Sequence, residues 1–197
     1  IIIAKSIDVT QKDDLIHELI KYDTLISAVP YFLNEIITEA ALKTQVNMID
    51  LGGNTEIVKK QLLKNKQAVN SKIGITPDCG MGPGMNITLS LLVMEQFDQP
   101  YSIKIYDGGL PQNPEKPWNY NLFFNINGLT NEYDGCASFI RNGIIEDINC
   151  FDDIETLYFD NYGSLEAAVT SGGLSTMPWT FKDKLHTLEN KTLRYPG

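Results

Sequence analysis

The sequence predicts an α/β protein in two parts, a parallel sheet interleaved with helices and then a mixed α+β domain. Three observations carry this. Over the first 84 residues, short apolar runs alternate with helical patterns at a spacing of about twenty residues. Those runs lack regular polar alternation, which indicates strands covered on both faces. Beyond Gln99 and Pro100, strand candidates follow one another with few helices between them, as in α+β domains.

Taken in order, residues 1–9 read as a strand, and Thr10-Gln11-Lys12-Asp13 as a capping box with its carboxylate three residues after the hydroxyl. A helix from Gln11 to Lys21 sets Leu15, Ile16, Leu19 and Ile20 on one face. Asp23 to Val29 is a strand stopped by Pro30, and Phe32, Ile36, Ile37, Ala40 and Ala41 mark a second helix. Val46 to Leu51 is a strand, Glu56 to Lys66 a helix, and Lys72 to Thr76 the last strand of the parallel set. The turn Pro77-Asp78-Cys79-Gly80-Met81-Gly82-Pro83-Gly84 then feeds a helix, Met85 to Phe97, apolar on almost every side and so expected to be buried. Tyr101 to Tyr106 alternates like a half-exposed strand, and Asp107 to Pro117 is a proline- and glycine-rich loop. Tyr120 to Ile126, Thr156 to Phe159, Leu165 to Thr170 and Leu188 to Tyr195 are further strand candidates. The expected boundaries are 1–84 for the sheet domain, 85–99 for a connecting helix and 100–197 for the second domain.

Composition narrows the function. A formal charge of -9 argues against nucleic acid, whose phosphates need clustered cations. The basic cluster of Lys59, Lys60, Lys64 and Lys66 has the spacing of a solvated helix face. No apolar run reaches the length of a membrane span. Cys79, Cys136 and Cys150, odd in number and far apart, fit a reducing, cytoplasmic setting better than a disulfide framework. With His17 and His186 the only histidines and no close cysteine pair, a metal site is not expected. The chain opens inside strand-like Ile1-Ile2-Ile3 without methionine, so an internal piece of a longer protein is expected.

In parallel sheets, ligands bind beyond the carboxyl ends of the strands. Here those ends are Asp8-Val9-Thr10, Ala28-Val29-Pro30-Tyr31, Leu51-Gly52-Gly53 and the Pro77–Gly84 turn. Asp78, beside the glycine turn, is either a working carboxylate or a turn cap. Cys79 has no histidine close in sequence and reads as structural. A dinucleotide site normally opens strand–G-x-G-x-x-G–helix, and no such motif is present; Gly80-Met81-Gly82-Pro83-Gly84 has the wrong spacing.

Asp50-Leu51-Gly52-Gly53, the Pro77–Asn86 stretch and Gly108-Gly109-Leu110-Pro111 resemble the saccharopine dehydrogenase-like oxidoreductases. Ile140-Arg141-Asn142-Gly143, Glu155 to Phe159, Leu165-Glu166-Ala167, Thr170-Ser171-Gly172-Gly173 and Lys191 to Gly197 look most like that family's lysine 6-dehydrogenase branch. The resemblance implies a Rossmann domain binding NAD or NADP, a mixed domain for substrate and dimerisation, a homodimer and a small amino-acid substrate. It further implies that the first strand, the phosphate loop and the second strand precede Ile1, and that a closing helical segment follows Gly197. The implied reaction oxidises the terminal amine of lysine by hydride transfer to nicotinamide, giving an aldehyde that cyclises. The alternatives are a secondary-amine oxidoreductase of the saccharopine or carboxynorspermidine type, or a non-catalytic piece.

On this resemblance Asp78, Tyr31 and Glu166 are the catalytic candidates, since a lysine ammonium with a pKa of roughly 10.4 needs a base or a desolvating pocket. Asp8, Val9, Ala28, Val29, Pro30, Leu51, Gly52, Met81 and Pro83 are expected around the cofactor, with Asp8 either accepting from the adenine amine or starting a helix. Asp78 and Glu166 would meet the substrate amine, and Thr170, Ser171 and Arg194 its carboxylate. Two departures weigh on specificity. Ala168 and Val169 stand where relatives often carry an aromatic residue and a histidine, and neither arginine, Arg141 or Arg194, falls between Asp160 and Thr176.

Overall fold

The structure, a computed structural model, describes residues 2–197. It comprises two compact units that meet in sequence between Gly80 and Met81.

The first unit runs α1 (Lys12–Leu19), β1 (Thr24–Ser27), a 3-10 turn (Tyr31–Leu33), α2 (Asn34–Thr44), β2 (Asn47–Asp50), α3 (Thr55–Leu62), α4 (Asn65–Ser71) and β3 (Ile75–Thr76). Its sheet has the order β1-β2-β3 and is parallel throughout, as the alternation of strands and helices predicts. Leu15 and Leu19 of α1 meet Ile37, Ala40 and Ala41 of α2 and Val46 and Met48 at β2 in one apolar core.

Four expectations for this unit need correction. Residues 2–9 form no strand: Ile2 and Ile3 are 100% and 83% exposed, and an apolar run becomes a strand only where another strand receives its hydrogen bonds. The capping box is not made. Gln11 occupies the N-cap of α1 without a side-chain bond, while Asp8 Oδ1 accepts from both the amide (2.9 Å) and the hydroxyl (2.7 Å) of Thr10. The helix expected over Glu56–Lys66 is two helices broken at Leu63 and Lys64. Nor is every strand covered on both faces, since Ile26 of β1 is 64% exposed.

Asp50 ties the loops of this unit together. Fully buried at the end of β2, its Oδ1 accepts from the amides of Gly52 (2.8 Å) and Asp78 (3.2 Å). Its Oδ2 accepts from Gln61 Nε2 at 2.7 Å, and its carbonyl from the Cys79 amide at 2.7 Å.

The second unit runs α5 (Met85–Met94), β4 (Ser102–Asp107), α6 (Ile126–Glu132), β5 (Cys136–Arg141), β6 (Ile144–Asn149), β7 (Glu155–Phe159), β8 (Gly163–Val169), α7 (Met177–Phe181) and β9 (Thr187–Arg194). Its sheet has the order β6-β5-β9-β8-β7, and β4 pairs in parallel along β9. β9 is therefore central, and its interior residues, Leu188 to Leu193, are all buried. A buried polar side chain is tolerable only when paired. Accordingly Glu189 meets Arg141 at 2.9 Å, and Lys191 Nζ donates to Glu155 at 2.8 Å and to the Asp153 carbonyl at 2.7 Å.

Three expectations change here. Tyr120 to Ile126 is not a strand; its aromatics pack by their rings, with Phe123 edge-on to Tyr120 at 6.0 Å, and the chain turns into α6. The hairpin β5–β6 was not anticipated, although Asn142-Gly143 is a strong two-residue turn signal; both residues take positive φ (53° and 76°), as such a turn requires. Finally, α5 is not a buried helix: it buries Asn86, Ser90 and Met94, while Leu89, Leu92 and Val93 are 52%, 57% and 51% exposed.

Replacing Asp50 by alanine is expected to cost about 3 kcal/mol in urea denaturation, because it strands several buried donors. Asp50→Asn should cost clearly less. The Gln61 amide, whose buried Oε1 makes no hydrogen bond among the described residues, turns over to accept from the new amide.

Candidate functional site

In β9 and its neighbours, directly paired residues project side chains to the same face. Arg194 pairs with Glu166, Thr192 with both Ala168 and Asp107, and Asn190 with Ile105. Alternate residues of β9, namely Asn190, Thr192 and Arg194, therefore line one face together with Asp107 and Glu166. The opposite face carries Leu165, Ala167 and Leu193 with Tyr106 and Leu157.

Arg194 is the centre of the polar face. Its guanidinium lies 5.1 Å from the ring centre of Tyr120 and 5.7 Å from that of Tyr133, and Nη1 donates to the Leu193 carbonyl at 2.9 Å. Nη2 reaches Glu132 Oε2 at 3.5 Å. Glu132 is the last residue of α6, which the end of β8 holds in place: the Ser171 amide donates to the Glu132 carbonyl at 2.8 Å and Ser171 Oγ to the Asn131 carbonyl at 2.5 Å. The Tyr120 hydroxyl is buried and makes no hydrogen bond among the described residues.

Two carboxyls face this one guanidinium. Burial raises the Glu132 carboxyl to about 6, with Asp107 adding to the rise and Arg194 opposing it. Burial also raises Asp107, opposed first by its hydrogen bond from Asn190 and then by Arg194. Asn86 sets Asp107: its Nδ2 donates to Asp107 Oδ2 (3.2 Å), the Gly173 carbonyl (3.0 Å) and Asn190 Oδ1 (3.2 Å). Asn86 Oδ1 in turn accepts from the amides of Gly84 (3.0 Å) and Ile87 (2.8 Å). Any side chain at Gly82 would overlap Asp107 Oδ2, so glycine is needed there.

Of the residues expected to hold substrate, Arg194 and Glu166 lie on this face, half-buried. The hydroxyls of Thr170 and Ser171 are engaged within the fold, the former with Thr192 Oγ1 at 2.6 Å. Asp107, Tyr120, Glu132 and Tyr133 were not singled out. For Asp107, the signal was its place at the carboxyl end of a strand. For Glu132 and Tyr133 no motif or period marks them, because pairing across the sheet brings them in.

The first unit sets Ala28 to Tyr31, Leu51 to Gly53 and Asp78 just beyond the carboxyl ends of its strands, whereas Asp8 and Val9 follow no strand among the described residues and do not belong to that edge. Ala28 is exposed, Leu51 is 45% exposed, and Val29 and Pro30 are half-buried. Gly52 has φ 75°, and a side chain there would overlap Asp78 Oδ1; Asp78 itself has φ 59°. Tyr31 stands beside Gly53. The Asp8 carboxylate is exposed and bonded to Thr10, which holds its pKa low, while Val9 packs into the core. Partial burial first, then Asp50 and Asp78, raises the Cys79 thiol and disfavours a thiolate, although the residue is exposed overall. In the second unit Met81 is exposed and Pro83 buried.

Carboxyl-carbon NMR of Glu132 is expected to show a midpoint of about 6. Arg194→Gln should move it upward, since the guanidinium favours the ionised form. With the folded value above that of the unfolded chain, this group's stabilising contribution is full below the unfolded value, about 4.3, and is lost as pH rises through about 6.

Comparison with known proteins places this architecture. The family model described as "Saccharopine dehydrogenase C-terminal domain" matches residues 80–197, more than half of the chain. The rat protein "Alpha-aminoadipic semialdehyde synthase, mitochondrial" (Rattus norvegicus) is 23% identical over 98% of this chain and 22% of its own length. "Saccharopine dehydrogenase [NADP(+), L-glutamate-forming]" of Pyricularia oryzae is 22% identical over 73% of this chain and 32% of its own length. The chain thus spans between about a fifth and a third of these relatives. The solved apo saccharopine dehydrogenase (L-Glu forming) of Saccharomyces cerevisiae shares the fold at TM-score 0.76 and 19% identity, covering 98% of this chain and 45% of that one. By its family model, the chain belongs to the saccharopine dehydrogenase family through that family's C-terminal domain.

Proposed function

We propose that the protein is an NAD(P)-dependent oxidoreductase of the saccharopine type, acting on the secondary amine that joins a lysine chain to a glutarate. Relatives named for saccharopine dehydrogenation and for aminoadipic semialdehyde synthesis support this over the lysine 6-dehydrogenase reading. The single structural observation behind it is a half-buried guanidinium beside two carboxyls, a set complementary to an α-amino acid head group.

Saccharopine, oxidised nicotinamide and water would give glutamate, a semialdehyde, reduced nicotinamide and a proton. A bound nicotinamide would supply the hydride acceptor for the carbon next to the bridging nitrogen. The chain's own residues bind and orient. Arg194 holds a substrate carboxylate with two donors, and Tyr120 and Tyr133 flank the guanidinium and limit its access to water. Asp107 faces the substrate ammonium with Glu166 on the same face. In the first unit, Asp78 is the carboxylate suited to accept a proton. Exposed Ala28 and Leu51, with bare backbone at Gly53, suit a flat ring, so the first unit's strand edge is where the cofactor's ring would rest. The phosphates find no G-x-G-x-x-G loop in this sequence.

A second reading, oxidation of lysine itself, draws on the same site, because one arginine matches one α-carboxylate. The full-length protein is offered saccharopine with NAD or NADP, then L-lysine alone, while nicotinamide absorbance is followed. Reduction with saccharopine and not with lysine supports the proposal. The reverse pattern supports the second reading, and silence with both rejects the two together. Arg194→Gln should raise KM for the turned-over substrate roughly 10- to 100-fold, the worth of a charge-assisted pair.

A further inference from the structure

We propose that Glu132 occupies the anion position beside Arg194 in the free protein, and that a substrate carboxylate binds there together with one proton taken up by Glu132. The inference rests on reading Arg194 as the carboxylate holder.

The geometry leads to it. Glu132 sits 3.5 Å from Arg194 Nη2, a long contact for a charge-assisted bond, which is normally 2.7–2.9 Å. The side chains of Glu132 and Arg194 are 28% and 21% exposed, so the pair is sheltered but reachable. The groups facing Glu132 come from each neighbouring element. They are Arg194 from β9, Asp107 from β4, Tyr120 from the segment before α6 and Tyr133 at the end of α6 itself. On the β8 side, the Ser171 amide bonds the Glu132 carbonyl, Cys150 Sγ lies 3.5 Å from that carbonyl, and Glu166 pairs in register with Arg194.

Charge arithmetic supplies the driving force. One guanidinium already faces two carboxyls, and a bound carboxylate makes a third. In a site of low effective dielectric, like charges within a few ångströms cannot all ionise, and one group takes a proton. Asp107 is the poorer acceptor, because the amides of Asn86 and Asn190 donate to its oxygens and favour its ionised form. Glu132 closes a helix C-terminus, where the helix dipole disfavours a carboxylate, and its carboxyl is already raised to about 6. The proton comes from solvent, converting the Glu132 carboxylate to a carboxylic acid. The Tyr120 hydroxyl, buried without a hydrogen bond among the described residues, is then free to donate to either carboxyl.

The probe is glutarate, which carries carboxylates but no amine and stays ionised across the range used. Its binding to the full-length protein is measured by calorimetry from pH 6.5 to 8.5, in two buffers of different ionisation enthalpy. The expected result near pH 7 is net uptake approaching one proton, with affinity falling at least tenfold across the range. Glu132→Gln, checked for folding by circular dichroism, should abolish the uptake and flatten the pH dependence; Asp107→Asn, which removes one of the three carboxyls, should reduce the uptake. Affinity that is independent of pH, that rises with pH, or that is too weak to measure at millimolar glutarate overturns the proposal, as does uptake that persists in Glu132→Gln. Proton-linked glutarate binding by a protein that turns over neither saccharopine nor lysine would sustain this inference while rejecting the proposed reaction.

Discussion

The second unit depends on the carboxamide of Asn86. It is buried, and its five polar contacts reach the turn before α5, the first turn of that helix, the end of β4, the turn after β8 and the middle of β9. An aspartate would offer no donors to Asp107 and Asn190, and a leucine would leave the Gly84 and Ile87 amides and two carbonyl-type oxygens unpaired in the interior. The pressure for glycine at Gly82 follows from the same point, because Asp107 must come up against the backbone to meet Asn86. The glycine-rich turn is thus shaped by a buried amide before any ligand is considered.

That constraint sets the electrostatics of the candidate site. Asp107 is held in place by amides, which can accept or give hydrogen bonds but carry no charge, so its carboxylate is not neutralised where it is fixed. The nearest cation acting on it is Arg194, and Arg194 also faces Glu132. The site is therefore short of positive charge when both carboxyls are ionised, and the carboxyl of Glu132 answers that shortage with a raised midpoint of about 6, ionised at neutral pH but ready to take up a proton. On the opposite face of β9, Lys191 and Glu155 form a compact pair at 2.8 Å, and the same protein environment lowers Glu155, with Lys191 as the main cause. Two faces of one strand thus treat a carboxyl in opposite ways. The difference lies first in burial, which raises Glu132 against the pull of Arg194, and then in the lysine that bonds Glu155.

Much of the fold is legible in the sequence, and the reasons for the rest are physical. The parallel order of β1, β2 and β3 follows from their alternation with helices, and β4, β7, β8 and β9 follow from alternating or apolar runs. The expected strand over residues 2–9 and the buried α5 fail for one reason: apolar composition shows that a segment seeks cover without showing what supplies it. The Asn142-Gly143 turn was readable and marks a hairpin without further help. Of the site, Arg194 and Glu166 were reached through the resemblance, each lying in one of its motifs, Lys191 to Gly197 and Leu165-Glu166-Ala167. Glu132 and Tyr133 were not, since they reach Arg194 only after Ser171 pins the end of α6 to the end of β8, a contact across 39 residues of chain.

Asp78 shows how the geometry of a turn agrees with the chemistry proposed for it. Its amide bonds the buried Asp50 carboxylate, its φ of 59° turns the chain out of β3, and its side chain lies where Gly52 lacks a Cβ. An aspartate tolerates that left-handed backbone better than most residues, and a glycine opposite makes room for its carboxylate. These features alone would satisfy a turn cap. What they also do is hold the carboxylate at the carboxyl edge of a parallel sheet with its backbone anchored on both sides, by the Asp50 side chain at one residue and the Asp50 carbonyl at the next. A base must be kept within a few tenths of an ångström of its working position, and a loop does not do that unless something rigid grips it. The buried Asp50 provides the grip. The turn-cap and proton-acceptor readings of Asp78 are therefore compatible, because the contacts that would explain it as purely structural are the contacts a working carboxylate needs.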